Sequence, residues 1–409
     1  MGKYTRRGTC RLCSSKELEL AFQLAPTPIG DAYLPVKQKL ESYPVELFLC
    51  RSCGLAQLLD VVEPEEVYRP YIYRTADSLG LVEHFRKYAD EVMKAVNPKK
   101  GGLVVDIGGN DGSFLKFFRN HGMKVLGVDP ATKIAREATE SGIKTLPAFF
   151  TPELASEIRK ENGNASIITA NNTMANIDDL QGMMDGVKKL LAPDGVFVFE
   201  TGYVLDLLQK KIIDNIYHEH ISYFSVKPLE NFFRNNSLEL IDAKRVATKG
   251  GSLRCTVQLK GGPRKRSPAA DELIKLEAES RIHNHETFRA FASELENIKN
   301  ELTKLLNGLK AKGKLIAGYG ASVGVTTILH NFGLNKNLIS FLVDDNPNRQ
   351  NLYSPGLNIP VLNPKALYEK KPDYVVILAW QYAKPILDKN KAYLKHGRFI
   401  NIIPKVEVA

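Results

Sequence analysis

The stretch Asp106-Ile-Gly-Gly-Asn-Asp-Gly112 decides the fold. The apolar run Gly102-Leu-Val-Val-Asp106 leads into it, and Ser113-Phe-Leu-Lys-Phe-Phe-Arg119 follows with helical spacing. Strand, glycine-rich turn and helix together bring backbone N–H groups close to a ligand at the carboxyl end of a strand.

Two features separate this turn from the dinucleotide pattern Gly-x-Gly-x-x-Gly. Asp106 precedes the glycines, and Asp129 closes the next strand-like run, Lys124–Val128. A pyrophosphate disfavours such carboxylates, whereas a sulfonium ligand tolerates them; the pair resembles that of class I methyltransferases, in which the second carboxylate accepts from the ribose hydroxyls. The expected ligand is S-adenosylmethionine, with Asp106, Gly108, Asn110, Gly112 and Asp129 around it and Asn171 at a neighbouring strand end.

Outward from this turn, strand and helix alternate. Leu103–Ile107 reads as a strand, Ser113–His121 as a helix, Lys124–Val128 as a strand, Thr132–Ser141 as a helix and Ala165–Ala170 as a strand. A helix carrying Leu180, Met183, Met184, Val187, Leu190 and Leu191 follows, and Pro193-Asp-Gly195 turns into the strand Val196–Phe199. Such alternation predicts a parallel sheet covered by helices, with ligands beyond the strand ends. Upstream, the aromatic run Tyr68 to Ser78 leads into a helical pattern over Leu79–Val96 and is either a pocket wall or a packing seam.

The N-terminal part carries Cys10-x-x-Cys13 and Cys50-x-x-Cys53. Two such turns aim four thiolates at one centre, the closed pattern of structural zinc. The fifth cysteine, Cys255, lies in the strand-like Ser252–Leu259 and reads as a buried core thiol. After a polar helical stretch at about 267–312, a second strand-and-turn pattern appears. Lys314–Ala317 reads as a strand, Gly318-Tyr-Gly-Ala-Ser-Val-Gly324 as a glycine turn and Val325–Asn331 as a helix. Leu338–Val343 ends in Asp344, and Tyr374–Leu378 and Arg398–Ile402 read as further strands. Its glycine spacing admits a dinucleotide, a merely structural duplicate, or a loop holding another phosphorylated ligand.

The densest polar cluster is Ile216-Tyr-His-Glu-His-Ile-Ser-Tyr-Phe224. A phenol, two imidazoles and a carboxylate within four positions form an acid–base set. His218 and His220 share a face on a strand and diverge on a helix. The formal charge of +10 suits an anionic partner, although it is scattered and tightest only at Arg264-Lys-Arg266. No run approaches the roughly 18 apolar residues of a membrane span, and no apolar stretch follows the N-terminal charges. The expected compartment is the cytoplasm, without a membrane partner.

Together these parts resemble the sugar C-methyltransferases that act on nucleotide-linked 4-keto-deoxysugars. The resemblance runs over almost the whole chain. It rests on the paired Cys-x-x-Cys turns, the segment near Tyr73, the Asp106–Gly112 turn, Gly195–Glu200, Ile216–His220, Gly250–Ser252 and Gly318–Ser322. It implies a zinc module at 1–70, a central Rossmann-like class I methyltransferase domain at 71–262, and a helical linker with a C-terminal Rossmann-like substrate domain at 263–409. By the same resemblance, His220 is the base that takes a proton from the carbon beside the sugar ketone. Tyr217 and Glu219 orient it or stabilise the enolate, and Tyr73 contributes a hydroxyl. Asn176, His218, Tyr319 and Ser322 are the expected acceptor contacts. Family members often carry His where this chain has Asn176, which can donate a hydrogen bond but cannot shuttle a proton at neutral pH. His218 is the residue expected to compensate. The alternative reading, a zinc-containing nucleic-acid methyltransferase, predicts an Asn/Asp-Pro-Pro-aromatic loop after the fourth strand. Here that loop reads Asn171-Asn-Thr-Met-Ala175, without proline.

Overall fold

The elements around Asp106 close into a seven-stranded sheet. From one edge its strands are Thr145–Leu146, Lys124–Val128, Leu103–Ile107, Ala165–Asn171, Leu191–Gly202, Ser252–Leu259 and Leu238–Val246. All run parallel except Ser252–Leu259, which is antiparallel to both neighbours. The computed structural model describes residues 4–69, 71, 73–77 and 80–409; Pro70, Ile72, Ser78 and Leu79 of the aromatic run and helical pattern lie outside them.

Leu103–Ile107 is buried at every position because helices cover both faces. One of these is Leu81–Val96, which buries Leu81, Phe85, Tyr88, Val92 and Val96 at three- and four-residue spacing. It ends at Asn97, whose left-handed backbone returns its N–H to Met93. Pro193-Asp-Gly195 does not end an element. It lies inside the strand Leu191–Gly202 as an irregularity of register before Val196.

The C-terminal sheet has six strands, in the order Val361–Leu362, Leu342–Val343, Ile316–Tyr319, Tyr374–Ile377, Arg398–Asn401 and Glu407–Val408. Only the last is antiparallel. Gly318 and Tyr319 belong to the strand rather than the turn, and the helix starts at Val323. Of the expected strand Leu338–Val343, only Leu342–Val343 pairs. The polar stretch before this sheet is two helices, Pro268–Glu279 and His285–Ala311. They break where Arg281 takes a positive φ of 51°.

The four-cysteine module builds an antiparallel sheet ordered Ser222–Tyr223, Ala56–Leu58, Tyr43–Cys50, Leu18–Thr27. Its outermost strand therefore comes from the middle of the chain, directly after the Tyr217–His220 cluster. Helix Val323–Asn331 joins all three regions. Thr326 donates to the Gly30 carbonyl at 2.8 Å and Thr327 to the Ile216 carbonyl at 2.9 Å. A side chain at Gly324 would sit 2.1 Å from the Asp214 carbonyl.

Candidate active site

The Asp106–Gly112 turn opens into a cavity of about 470 Å³. Gly108 and Gly109 donate to the Val128 carbonyl at 2.8 and 3.2 Å, which ties the turn to the next strand. Gly108 has φ +73°, and a Cβ there would lie 2.2 Å from the Thr173 hydroxyl. The backbone must be bare at that point. Asp129 uses Oδ2 to accept the Asn110 N–H and Oδ1 to accept the Ala131 N–H, both at 2.8 Å. Asn110 in turn holds the aromatic segment, accepting from the Thr75 N–H at 2.9 Å and donating to the Tyr73 carbonyl at 3.0 Å.

Asp106 is buried and accepts from the Thr169 hydroxyl at 2.6 Å. Burial pushes its carboxyl up to about 7, against the pull of that hydrogen bond. At the adjacent strand end, both polar atoms of the Asn171 side chain are buried without a protein partner. An amide left this way at a cavity wall is free to bond a ligand. Bare glycine backbone, a carboxylate poised near neutrality and an orphaned amide fit a cationic, ribose-bearing molecule. S-adenosylmethionine matches this donor and acceptor set.

Tyr73, Tyr217, His220 and Asn176 line the same cavity. His220 Nδ1 lies 3.1 Å from the Asn215 carbonyl, so that nitrogen carries the proton. Its Nε2 then accepts from the Tyr217 hydroxyl at 3.0 Å. Desolvation lowers the imidazole to about 4, with the backbone acceptor opposing and the Lys249 charge assisting. At neutral pH His220 is an uncharged ring lining the cavity, its unprotonated nitrogen held by the Tyr217 hydroxyl. The Asn176 carbonyl oxygen of the side chain is buried and unpartnered there.

Other expected contacts lie elsewhere. Residues 217–219 form a turn rather than a strand, so His218 and His220 part company. His218 faces the four-cysteine module. Its ring meets Tyr43 edge-on, and Nε2 sits 3.3 and 3.2 Å from the Tyr43 and Pro44 carbonyls. It does not line the cavity, so it does not stand in for an imidazole at Asn176. Glu219 lies behind the wall, bonded to the Tyr71 hydroxyl and close to the Asp31 and Arg349 charges. Burial raises it to about 8. Gly112 packs against Ile143 and caps the helix.

In the C-terminal unit, Tyr319 donates to Asp345 at 2.9 Å, and Ser322 is exposed at the start of its helix. Their neighbour Val323 reaches the cavity, but they do not. Asp344 repeats the Asp129 arrangement, accepting the Ala321 N–H at 2.6 Å and the Asn346 N–H at 2.8 Å.

Sequence reading passed over Lys249, the one Lys or Arg lining the cavity among the described residues. Its ammonium lies 5.2 Å from the centre of the Tyr73 ring. The available signal was Lys249-Gly-Gly-Ser252, where Lys249 itself has φ +49°. Arg264 and Arg266 are absent from the site. Arg264 donates to the Asp194 and Val96 carbonyls, and Arg266 pairs with Glu230 and Asp271.

The four thiols of Cys10, Cys13, Cys50 and Cys53 lie within 4.8 Å of one another. Four sulfurs at this spacing suit a tetrahedral zinc ion and leave no open position for chemistry. Cys255 is fully buried in its strand, as expected. No helix among the described residues is long and apolar enough to cross a membrane.

Three family profiles match the chain. One described as "Putative zinc binding domain" covers residues 10–68, one described as "Methyltransferase domain" covers 82–243, and one described as "C-methyltransferase C-terminal domain" covers 247–404. The C-methyltransferase NovU of Streptomyces niveus is 34% identical over 403 residues, or 98% of this chain and 96% of that protein. Among solved structures, an S-adenosylmethionine-dependent methyltransferase from Clostridium acetobutylicum aligns at 16% identity and a TM-score of 0.36, over 46% of this chain and 94% of its own. The PH0226 protein of Pyrococcus horikoshii aligns at 17% and 0.37, over 49% and 97%.

Proposed function

Because the chain belongs to the C-methyltransferase family, we propose that it methylates the carbon next to the ketone of a nucleotide-linked keto-deoxysugar. The observation that carries this reading is one cavity lined by both a neutral, tautomer-locked imidazole and a donor cradle. Bound S-adenosylmethionine supplies an electrophilic methyl group on a sulfonium. Asp106, Asn110, Asp129 and Asn171 hold that donor, the carboxylates facing its cation and ribose.

Carbon methylation needs a carbanion equivalent, and a ketone makes the neighbouring C–H acidic enough to supply one. His220 Nε2 takes that proton. The Tyr217 hydroxyl, which otherwise donates to Nε2, turns to the developing enolate oxygen. Held by Asp106, Asn110, Asp129 and Asn171, the donor would present its methyl group to the enolate carbon that His220 and Tyr217 prepare. Asn176 and Tyr73 contact the sugar. Lys249 faces the acceptor's phosphate charge, and Glu219 stiffens the wall through Tyr71. The domain limits 1–70, 71–262 and 263–409 belong to the same reading.

The test is turnover on a panel of nucleotide 4-keto sugars, followed by product mass, together with deuterium exchange at the carbon beside the ketone. His220→Asn should cut exchange by about 100-fold or more while leaving donor affinity unchanged. Exchange at the wild-type rate in that variant rejects the base role. No methylated product from any keto sugar rejects the acceptor class.

A further inference from the structure

Arg11 sits between two zinc ligands, in Cys10-Arg-Leu-Cys13, and its side chain is completely enclosed. A guanidinium without water turns its N–H groups to protein acceptors where it can. Arg11 gives those of Nε and Nη1 to three separate stretches, while Nη2 is left without a partner. Nη1 donates to the Leu58 carbonyl at 2.5 Å and the Ile221 carbonyl at 3.1 Å, and Nε donates to Asp178 at 2.9 Å. Leu58 belongs to the zinc-module sheet, Ile221 follows His220, and Asp178 lines the cavity two residues after Asn176.

Backbone bonds cross-link the same three stretches. The Leu58 N–H donates to the Ile221 carbonyl at 3.0 Å, and the Ile221 N–H donates to the Ala175 carbonyl at 2.8 Å. The Ile221 carbonyl therefore accepts from both the zinc-module strand and Arg11. The donor cradle is built differently. Asp106, Asn110 and Asp129 bond to the central sheet, its loops and residues 73–75, and among the described residues none of their bonds reaches the cysteine turns.

We propose that Arg11 is a positioning residue through which the zinc turn fixes the His220 segment and the Asn176–Asp178 loop. The metal then sets the geometry of the acceptor half of the cavity and leaves the donor half alone. The link to catalysis rests on the reading of His220 as the base; the mechanical link does not.

Arg11→Lys keeps the charge and loses the planar fork, whereas Asp178→Asn weakens one arm of Arg11 and also the Arg7–Asp178 ion pair. In the full zinc-loaded chain, backbone amide exchange is followed by mass spectrometry over 173–178, 217–223 and 103–112. Zinc content and donor affinity are measured on the same samples. For Arg11→Lys, one zinc per chain and unchanged donor affinity are expected, with amide exchange about tenfold faster over 173–178 and 217–223 and unchanged over 103–112. With a thymidine diphosphate 4-keto-6-deoxyhexose as probe, kcat should fall by about tenfold or more. Asp178→Asn should loosen 173–178 alone and by more than Arg7→Gln, which removes the Arg7–Asp178 pair and keeps the Arg11 arm; that difference decides the matter if Arg11→Lys does not fold, and equal loosening in the two variants overturns the proposal. Wild-type protection over both acceptor segments, or equal loosening of 103–112, overturns the proposal. If the wild-type protein fails to methylate this probe, kcat is compared on whichever keto sugar of the panel it does methylate; failure on all of them rejects the substrate reading, while the amide pattern still decides this proposal.

Discussion

Asp106 is the residue where burial and function pull in opposite directions. Desolvation favours its neutral form, and the Thr169 hydroxyl only partly offsets this. A cationic donor beside it favours the carboxylate. Donor binding below about pH 7 should therefore release a proton from Asp106, and affinity should rise with pH until that value is passed. Calorimetry at pH 6 in two buffers of different ionisation enthalpy measures the release directly. Equal heats in the two buffers would count against a protonated Asp106, and Asp106→Asn should abolish any difference. His220 behaves oppositely. Its basic form persists down to about 4, so no loss of activity near pH 6 should trace to it.

At the scale of elements, the donor turn works because two loops meet with no side chain between them. Gly108→Ala puts a methyl group onto the Thr173 hydroxyl and asks alanine to hold φ +73°. We expect a cost of about 1–3 kcal/mol in stability or donor affinity, since the strain must be relieved by moving residues 171–173. Thermal unfolding with and without donor separates these outcomes, and an unchanged melting temperature together with unchanged affinity would contradict the tight approach. This turn was legible in the sequence because its determinants are local: an apolar strand, glycines, and a carboxylate at each end. The same locality brought Asp129 and Asn171 to neighbouring strand ends. His218 was not legible, since its direction depends on a turn that period-two reasoning cannot foresee. Tyr319 and Ser322 are expected as acceptor contacts by family resemblance alone, and the Asp344 of their glycine turn is already engaged by its own loop. Lys249 escaped notice because a single lysine in a glycine loop carries no periodic signal.

At the scale of the molecule, helix Val323–Asn331 wedges between regions distant in sequence. Gly324→Ala would place its methyl group against the Asp214 carbonyl, so the helix must retreat. Overpacking of this kind costs about 1–3 kcal/mol. The shift should also stretch the Thr327 bond to Ile216, at the start of the His220 segment. A lower melting temperature with reduced acceptor turnover and intact donor binding is the expected result. Unchanged stability would show that the contact has slack. Zinc removal acts from the other side: chelation should unfold the cysteine turns, because a sheet this small depends on its metal. Loss of one zinc equivalent should accompany loss of thermal stability, read by metal analysis and calorimetry. These long-range contacts were invisible to a linear reading. Nothing in Ser222-Tyr223 says that its partner is Ala56-Gln57.

That last pairing bears on how the chain is born. The ribosome delivers the cysteines first, but the strand that finishes their sheet emerges much later, and Arg11 waits for Ile221 across 210 residues. At common synthesis rates this interval is about 10–40 s. Throughout it, Ala56–Leu58 offers an open edge to any passing strand. Early metal capture would hold the cysteine turns together during the wait, so zinc starvation during expression should cost more soluble protein than zinc removal afterwards costs activity.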